Sequence, residues 1–190
     1  MKRKNLILFY PSYEKGGVTN ILQNLLDNEN SKKFNIHIIS SKNFLKPKLL
    51  KKNFYFYPVV RKINIPLFPQ RFITALNGMF VLISLLKQFK KDVVVHSMQS
   101  NVAGIIACMI KHKKIVIRNS ENPIYSTINS ENFFFGFIAF SLKLLFYNFA
   151  DGIITNSKGS ANSLKFFVFN KKKINYIYNP YLKKINKKKY

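Results

Sequence analysis

The stretch LILFYPSYEKGGVTNILQNLL, residues 6–26, joins a short apolar run, a loop with two adjacent glycines and an amphipathic segment. The apolar run stops at Pro11, as expected for a buried strand. Beyond the glycines, apolar residues recur at intervals of three and four, which is typical of a helix that packs one face on a core. These residues are Val18, Ile21, Leu22, Leu25 and Leu26. The stretch therefore predicts a strand, a tight loop and a helix in succession.

The same alternation of strands and helices continues along the chain. Further strands are predicted at 35–40, 54–60, 92–96, 114–118, 152–155 and 174–178. Helices are predicted at 69–91, 102–110, 133–149 and after a cap at Asn156 or Ser157, and the polar segment 119–132 is predicted as a loop. Apolar strands separated by helices form parallel sheets that are covered on both faces. We therefore expect an α/β fold, with a mostly parallel sheet of six or seven strands and helices on both faces.

The composition excludes several classes of protein. The 190 residues include 32 Lys and Arg against seven Asp and Glu, a net charge of +25, yet 47% are hydrophobic, which is atypical of a disordered chain. A single cysteine, Cys108, excludes an internal disulfide framework and a zinc cluster. The apolar run at 6–10 is too short for the hydrophobic part of a secretory signal. We expect a cytoplasmic protein.

The positive charge by itself indicates little about function. Only four of the 32 basic residues are arginine, the residue that suits bidentate phosphate contacts, and the abundant Lys, Asn, Ile, Phe and Tyr all have A/T-rich codons. Residues 171–190 hold eight lysines and no acid, which a nucleic-acid backbone would accept. No RNP-like motif, zinc finger or helix-turn-helix pattern accompanies them. We therefore expect no specific nucleic-acid partner, and a basic nucleic-acid-binding protein remains an alternative.

Gly16 and Gly17 lie directly before the first predicted helix. Glycines let the backbone approach a ligand closely and tolerate positive φ, and the free N–H groups at a helix start attract phosphate. The G-x-G-x-x-G and G-K-[ST] patterns are absent, which excludes a dinucleotide fingerprint and a P-loop. The alternative is a tight strand-to-helix turn without a ligand.

Four segments in order resemble the N-terminal half of the family 4 glycosyltransferases. The first is the opening stretch at 6–26, and the second is DVVVHSMQSNVAGIIACMI at 92–110, similar to that family's Asp-val-val-His strand and the small-residue helix after it. The third is ADGIITNSKGSANSLKFF at 150–167, and the fourth is INYIYNPYL at 174–182, similar to the family's exit through Asn-Pro or Asn-Gly. The resemblance covers about residues 5–182.

The resemblance implies a two-domain GT-B enzyme that transfers a sugar from a nucleotide-sugar donor to a cell-envelope or lipid-linked acceptor. Residues 1–180 would form the N-terminal, Rossmann-like, acceptor-binding domain, and 181–190 a lysine-rich tail that begins the interdomain linker. The family's Glu-x7-Glu motif has no counterpart here, so the domain that holds the nucleotide-sugar is missing. We expect the chain to be a natural truncation, one half of a split gene or an incomplete reading frame. It would be inactive alone, and the missing domain, if it exists, should restore transfer when added in trans. An inactive binding module is the alternative.

The resemblance also implies site residues and a mechanism. Gly16 and Gly17 match the loop that approaches the donor diphosphate, and His96 matches a histidine at the edge of the cleft. Asn179 and Pro180 match the hinge into the second domain. Family members retain the anomeric configuration and need neither a metal ion nor another cofactor, so none is expected here. For His96, the alternative is a structural histidine at a strand end.

Asn119, Glu121 and Ser157 complete the candidates for the cleft and the acceptor site. Asn119 and Glu121 lie where relatives often have a histidine near the reacting sugar, and because no histidine is present, no catalytic residue is assigned. Ser157 matches a serine after the strand at 152–155, where capping of the next helix is the alternative. The seven acids are too scattered to suggest a carboxylate pair or a metal site.

Two segments suggest a membrane surface. A helix over 133–149 would be about 25 Å long, slightly short for a bilayer core of about 30 Å, and a central Lys143 would cost about 2.5–3.5 kcal/mol. We therefore predict a buried or interfacial helix. Residues 42–62 are basic, and aromatic from Phe54 to Tyr57, which suits peripheral binding to the anionic inner face of a membrane. The alternative is a solvated loop with its aromatic rings folded inward.

Overall fold

The computed structural model describes residues 3–13, 16–28, 33–42, 53–60, 63, 65–66, 68–90, 92–128 and 132–179. The described strands are β1 (Lys4–Phe9), β2 (Phe34–Ser40), β3 (Phe54–Pro58), β4 (Val93–Ser97), β5 (Lys114–Asn119), β6 (Gly152–Thr155) and β7 (Ile174–Tyr176). The described helices are α1 (Gly17–Asn28), α2 (Gln70–Leu86), α3 (Asn101–Lys111), α4 (Pro123–Ile128), α5 (Phe133–Phe146) and α6 (Lys158–Leu164).

The described strands form one sheet in the order β3-β2-β1-β4-β5-β6-β7, and every neighbouring pair is parallel. The register aligns Ile7 of β1 with His37 of β2 on one side and with Val95 of β4 on the other. The strand order reverses between β1 and β4, and open α/β sheets bind ligands at the carboxyl ends of the strands beside such a reversal. The predicted α/β fold with a parallel sheet is confirmed.

Helices cover the two faces of the sheet unequally. On one face, apolar residues of β1, β4, β5 and β6 pack against α2, α3 and α6 in the larger core, which includes Ile7, Val95, Leu82, Ile105 and Leu164. On the other face, the described helix is α1, which packs over β1, β2 and β3 in a smaller core that includes Leu8, Ile36, Ile38, Leu22 and Leu26. Leu25 of the predicted apolar stripe is 44% exposed, because it lies at the margin of that face.

Several predicted boundaries differ from the structure. The segment 119–132, predicted as a loop, contains helix α4, which begins at Pro123; proline suits the first turn of a helix because no N–H is needed there. The helix predicted at 133–149 ends at Phe146 and continues as one 3-10 turn, Tyr147–Phe149. The helix predicted at 69–91 ends at Leu86. Strands β3 and β7 end two residues earlier than predicted.

Gly78 allows α2 to pass against the loop that follows β1. A Cβ atom at Gly78 would lie 2.5 Å from the Cβ atom of Pro11 and 3.3 Å from Cε2 of Phe9. Overpacking of a core costs about 1–3 kcal/mol, and the better helix propensity of alanine returns up to about 1 kcal/mol. We expect Gly78→Ala to lower the free energy of unfolding by about 1–2 kcal/mol in urea denaturation.

Gly159→Ala in α6 is the matched control. The nearest atom to a Cβ at Gly159 is Oγ of Ser157 at 4.0 Å, so alanine fits without a clash. We expect this variant to be as stable as the wild type or slightly more stable. Equal stability of the Gly78 and Gly159 variants would show that α2 does not depend on its close approach to Pro11.

Candidate functional site

Hydrogen bonds join the carboxyl ends of β1 and β4 and the loops that follow them. The backbone N–H of Met98 donates to the carbonyl oxygen of Phe9 at 2.9 Å, and Oγ of Ser12 donates to Oε1 of Gln99 at 3.2 Å. Met98 and Ser12 are both buried. The carboxyl edge of the sheet at the strand reversal is therefore held in place by hydrogen bonds that join the loop after β4 to the end of β1 and to the loop after β1.

Gly16 and Gly17 lie at the same edge of the sheet, where α1 begins. Gly17 is the first residue of the helix, and the backbone N–H of Asn20 donates to the carbonyl oxygen of Gly16 at 3.2 Å. Both glycines are exposed, and a Cβ atom at either would have no neighbour within 4 Å. Neither has a positive φ, so the backbone conformation does not require glycine at these positions. What glycine provides here is an unobstructed approach to the backbone.

His96 lies on β4 one residue before the strand ends, on the sheet face that α1 partly covers, because β1 and β4 align it with Leu8. Burial, together with the nearby positive charge of Arg118, lowers the pKa of His96 to about 4. The imidazole is therefore neutral near pH 7, and it can take part in hydrogen bonds there but does not act as a cation. The side chain is half-buried near the carboxyl end of β4.

The two partly buried histidines predict a dependence of stability on pH. Burial also lowers the pKa of His37 to about 4, in a pocket where its ring stacks on Tyr55. A histidine with a folded-state pKa near 4 contributes stability that is complete above the unfolded value of about 6.5 and is lost as the pH falls from 6.5 to 4. From pH 7 to pH 5, we expect the free energy of unfolding of the His96→Gln variant to fall by about 1–2 kcal/mol less than that of the wild type, measured by urea denaturation.

His112, which is exposed and has a φ of 51°, provides the control for this prediction. We expect His112→Asn to have the wild-type free energy of unfolding at pH 7, because asparagine tolerates left-handed backbone. A His96→Gln variant that loses as much stability as the wild type between these pH values would contradict a buried neutral imidazole.

Asn119 ends β5 but faces the larger core. Its side chain is only 3% exposed, donates to Oγ of Ser160 at 3.2 Å and to the carbonyl oxygen of Glu121, and accepts from the hydroxyl of Tyr147 at 3.3 Å. Asn101 also donates to the hydroxyl of Tyr147, at 3.2 Å. Asn119 therefore holds the loop after β5 by hydrogen bonds from within the core. The expectation that it is exposed in the cleft is wrong.

Glu121 and Ser157 lie in the loops that follow β5 and β6. Glu121 is exposed and lies 3.9 Å from Nζ of Lys143. Oγ of Ser157 accepts from the backbone N–H of Ser160 at 3.1 Å, so Ser157 is the N-cap of α6. The capping interpretation of Ser157 is confirmed. Glu121 remains accessible at the carboxyl edge of the sheet.

Arg118 is the main residue of this edge that sequence analysis did not select. It follows Val116 by two residues, and because Val116 aligns with His96, Arg118 lies on the same sheet face as His96. Its Nε donates to Oγ of Ser120 at 3.3 Å, and its Nη2 donates to Oδ1 of Asn179. Pro180, the second predicted hinge residue, lies outside the described residues.

The structure thus divides the candidates into two groups. His96 and Asn179 lie beside Arg118 on the face over which α1 begins with Gly17, whereas Asn119 lies on the opposite face. In the described part of the chain, no group of three or more His, Cys, Asp or Glu side chains could hold a metal ion. The burial of an arginine next to a histidine could have been predicted only from the register of β4 and β5, which the sequence does not specify.

The fold is shared with solved structures of nucleotide-sugar enzymes. HepE of Anabaena, solved with UDP-glucose, matches with a TM-score of 0.62 and 13% identity over 93% of this chain and 44% of its own. The lipopolysaccharide outer core galactosyltransferase WaaB matches with a TM-score of 0.58 and 15% identity over 93% of this chain and 46% of its own. The UDP-GlcNAc 2-epimerase of Neisseria meningitidis, solved with UDP-GlcNAc, matches with a TM-score of 0.52 and 16% identity over 90% of this chain and 44% of its own.

These matches show the GT-B type of fold and its N-terminal domain. The chain spans less than half the length of the solved structures named above. No curated protein sequence matches it significantly. The family model for Glycosyltransferase Family 4, however, matches residues 15–181, which is most of the chain. On this match, the chain belongs to glycosyltransferase family 4.

Proposed function

We propose that this chain is the acceptor-side half of a glycosyltransferase that moves a sugar from a nucleotide-sugar to a cell-envelope or lipid-linked acceptor. The observation that supports this most is the exposed start of α1 at the strand reversal, in a chain that belongs to a glycosyltransferase family. The acceptor would bind at the carboxyl edge of the sheet, and the donor would be shared with a second domain. Residues 1–180 would be the domain and 181–190 the start of the linker.

The donor diphosphate would approach Gly16 and Gly17. Bare backbone N–H groups at the start of a helix attract anions, and the helix dipole contributes about 0.3–1 kcal/mol to such an interaction. The structure of HepE with UDP-glucose supports a nucleotide-sugar as the donor class. The start of one helix, without a second domain to cover the bound phosphate and exclude water, would bind phosphate weakly. The chain alone would therefore be inactive and would need the donor domain in trans.

The acceptor side would be formed by His96, Glu121 and Asn179, with Asn119 and Ser157 holding their loops. Neutral His96 can donate or accept a hydrogen bond with a sugar hydroxyl, and Glu121 is the exposed carboxylate of this edge. WaaB acts on the lipopolysaccharide outer core, which supports an acceptor from the cell envelope. Transfer would retain the anomeric configuration, as the family resemblance implies, without a metal ion or other cofactor.

A lipid-linked acceptor would place the enzyme on the anionic inner face of a membrane. No residue of α5 is buried, although its sequence is FFFGFIAFSLKLLF, and Phe133 and Phe134 are 68% and 67% exposed. In the described part of the chain, no helix is long and apolar enough to cross a bilayer. Such a face suits the interface between water and lipid. We propose that α5 lies there, on a protein in the cytoplasm.

The segment 42–62, which the sequence also predicted to bind a membrane surface, differs from α5. Phe54 is buried in the core under α1, and the rings of Tyr55 and Tyr57 pack around His37. Phe54 is therefore directed inward, as in the alternative considered for 42–62, whereas Tyr55 is 47% exposed. Residues 43–52 and 61–62, which include most of the lysines of that segment, lie outside the described residues. The contribution of this segment would thus be its charge.

The experiment that tests the proposed function combines this chain with the nucleotide-sugar domain of a family 4 relative. Radiolabelled UDP-glucose and a cell-envelope lipid extract serve as donor and acceptor, and the product's anomeric configuration is determined by NMR. We expect transfer with retained configuration that is unchanged by EDTA. Inverted configuration would contradict a retaining mechanism, and complete loss of transfer in EDTA would contradict metal independence.

A further inference from the structure

We propose that Arg118 is the anion-binding residue of this domain and that it binds a phosphate group at the carboxyl edge of the sheet. The residue is 8% exposed, and burial lowers the pKa of its guanidinium group. Its hydrogen-bond partners in the described part of the chain, Ser120 and Asn179, are both neutral. A buried cation without a counter-ion is unfavourable, which is why buried charges are normally paired.

No carboxylate of the described residues forms an ion pair with Arg118. Glu121, the acid nearest to it in sequence, lies 3.9 Å from Nζ of Lys143. Asp151 accepts from the backbone N–H of Ile115 at 2.8 Å, at the start of β5, and therefore at the other end of the strand from Arg118. The counter-charge of Arg118 is thus expected from a ligand.

The geometry favours a phosphate group. The hydrogen bonds to Ser120 and Asn179 use Nε and one N–H of Nη2, and within the described residues Nη1 has no hydrogen-bond partner. A guanidinium group binds a phosphate through two parallel N–H groups, which makes arginine better suited to this ion than lysine. The two existing hydrogen bonds fix the plane of the guanidinium group before a ligand arrives.

The position of Arg118 is also consistent with binding of a phosphate group that belongs to one of the proposed substrates. It lies on the face of the sheet over which α1 begins, two strands from β1, so it and Gly17 border the same end of that face. The phosphate could belong to a nucleotide or to a lipid-linked acceptor, and the identity of the compound rests on the proposed function. Phosphate binding itself is measurable without sugar transfer, so the two proposals fail separately.

The test is a titration of the 190-residue chain labelled with 15N-arginine, at a salt concentration that suppresses binding to surface lysines. The chain has four arginines, Arg3, Arg61, Arg71 and Arg118, so few Nε–H signals overlap, and Arg118→Lys assigns the signal of Arg118. UDP and hexyl phosphate are the two probes. We expect the Arg118 signal to shift saturably with at least one probe, and the tighter probe identifies the nucleotide or the lipid as the source.

Variants provide the second measurement. We expect Arg118→Gln to weaken binding of that probe at least tenfold in equilibrium dialysis, and Lys158→Gln, which removes an exposed charge at the start of α6, to weaken it less than twofold. An Arg118 signal that does not shift with either probe would overturn the proposal. Equal weakening by both variants would also overturn it, since it would indicate general attraction of anions. If Arg118→Gln does not fold, the titration of the wild type still tests the proposal.

Discussion

Gly17→Val is expected to reduce sugar transfer by the assembled two-domain enzyme at least tenfold, with little change in the stability of this domain. A valine side chain fits the free domain, because no atom lies within 4 Å of a Cβ at this position. It would, however, occupy the space through which, under the proposed function, the donor diphosphate would approach the backbone of α1. A tenfold loss corresponds to about 1.4 kcal/mol of transition-state stabilisation. The measurements are the initial rate of transfer and the urea midpoint.

Gly159→Val, at an exposed position of α6, is the control for the effect of a branched residue near a helix start. We expect this variant to keep most of its transfer activity. A Gly17→Val enzyme that is as active as the wild type would show that the donor does not approach Gly17. An equal loss of activity in both variants would indicate that a branched residue near a helix start disturbs the helix, and that the donor site is not specifically affected.

Replacing Phe133, Phe134 and Phe137 together with serine is expected to reduce binding to anionic vesicles by about 100-fold. All three side chains are exposed on α5, and burial of one phenylalanine in an apolar environment contributes about 1.5–3 kcal/mol. Partial insertion at the interface would contribute less, about 1 kcal/mol for each residue. Cosedimentation with vesicles that contain anionic lipid, at low and high salt, measures the effect.

Phe166 and Phe169 are the matched control, because they are 85% and 88% exposed but follow α6, near the amino end of the sheet. We expect their replacement with serine to leave vesicle binding nearly unchanged. Binding to neutral and anionic vesicles should differ strongly, since a charge of +25 attracts anionic lipid. Equal loss in both sets of variants would contradict α5 as the contact surface.

The sequence was sufficient to predict the sheet and its helices because the periodicity is strong. The stripe from Val18 to Leu26 and the apolar strands at 92–96 and 114–118 match α1, β4 and β5 within one or two residues. Helix α4 was missed because its six residues, Pro123–Ile128, are too few to show a helical period among polar neighbours. The residues 133–149 were predicted as a buried or interfacial helix, and no residue of α5 is fully buried.

The site was harder to predict than the fold because it depends on which face of the sheet each residue occupies. Asn119 and Arg118 are adjacent in sequence, yet strand alternation directs Asn119 into the core beside Tyr147 and Arg118 to the face of His96. Sequence position alone favoured Asn119 because it lies where relatives often have a histidine near the reacting sugar. The turn at Gly16 and Gly17 before α1 was predicted from its glycines, although neither residue has a positive φ.

The measurement that tests the central claim most directly is sugar transfer by the purified chain, alone and with the donor domain of a family 4 relative. Both samples receive the same nucleotide-sugar and the same lipid acceptor, and the donor domain alone is assayed as a blank. We predict no transfer above the blank for the chain alone and sustained turnover for the combination, because the proposed function has the donor bound between two domains. Transfer by the chain alone would contradict the account of it as the acceptor-side half of a glycosyltransferase.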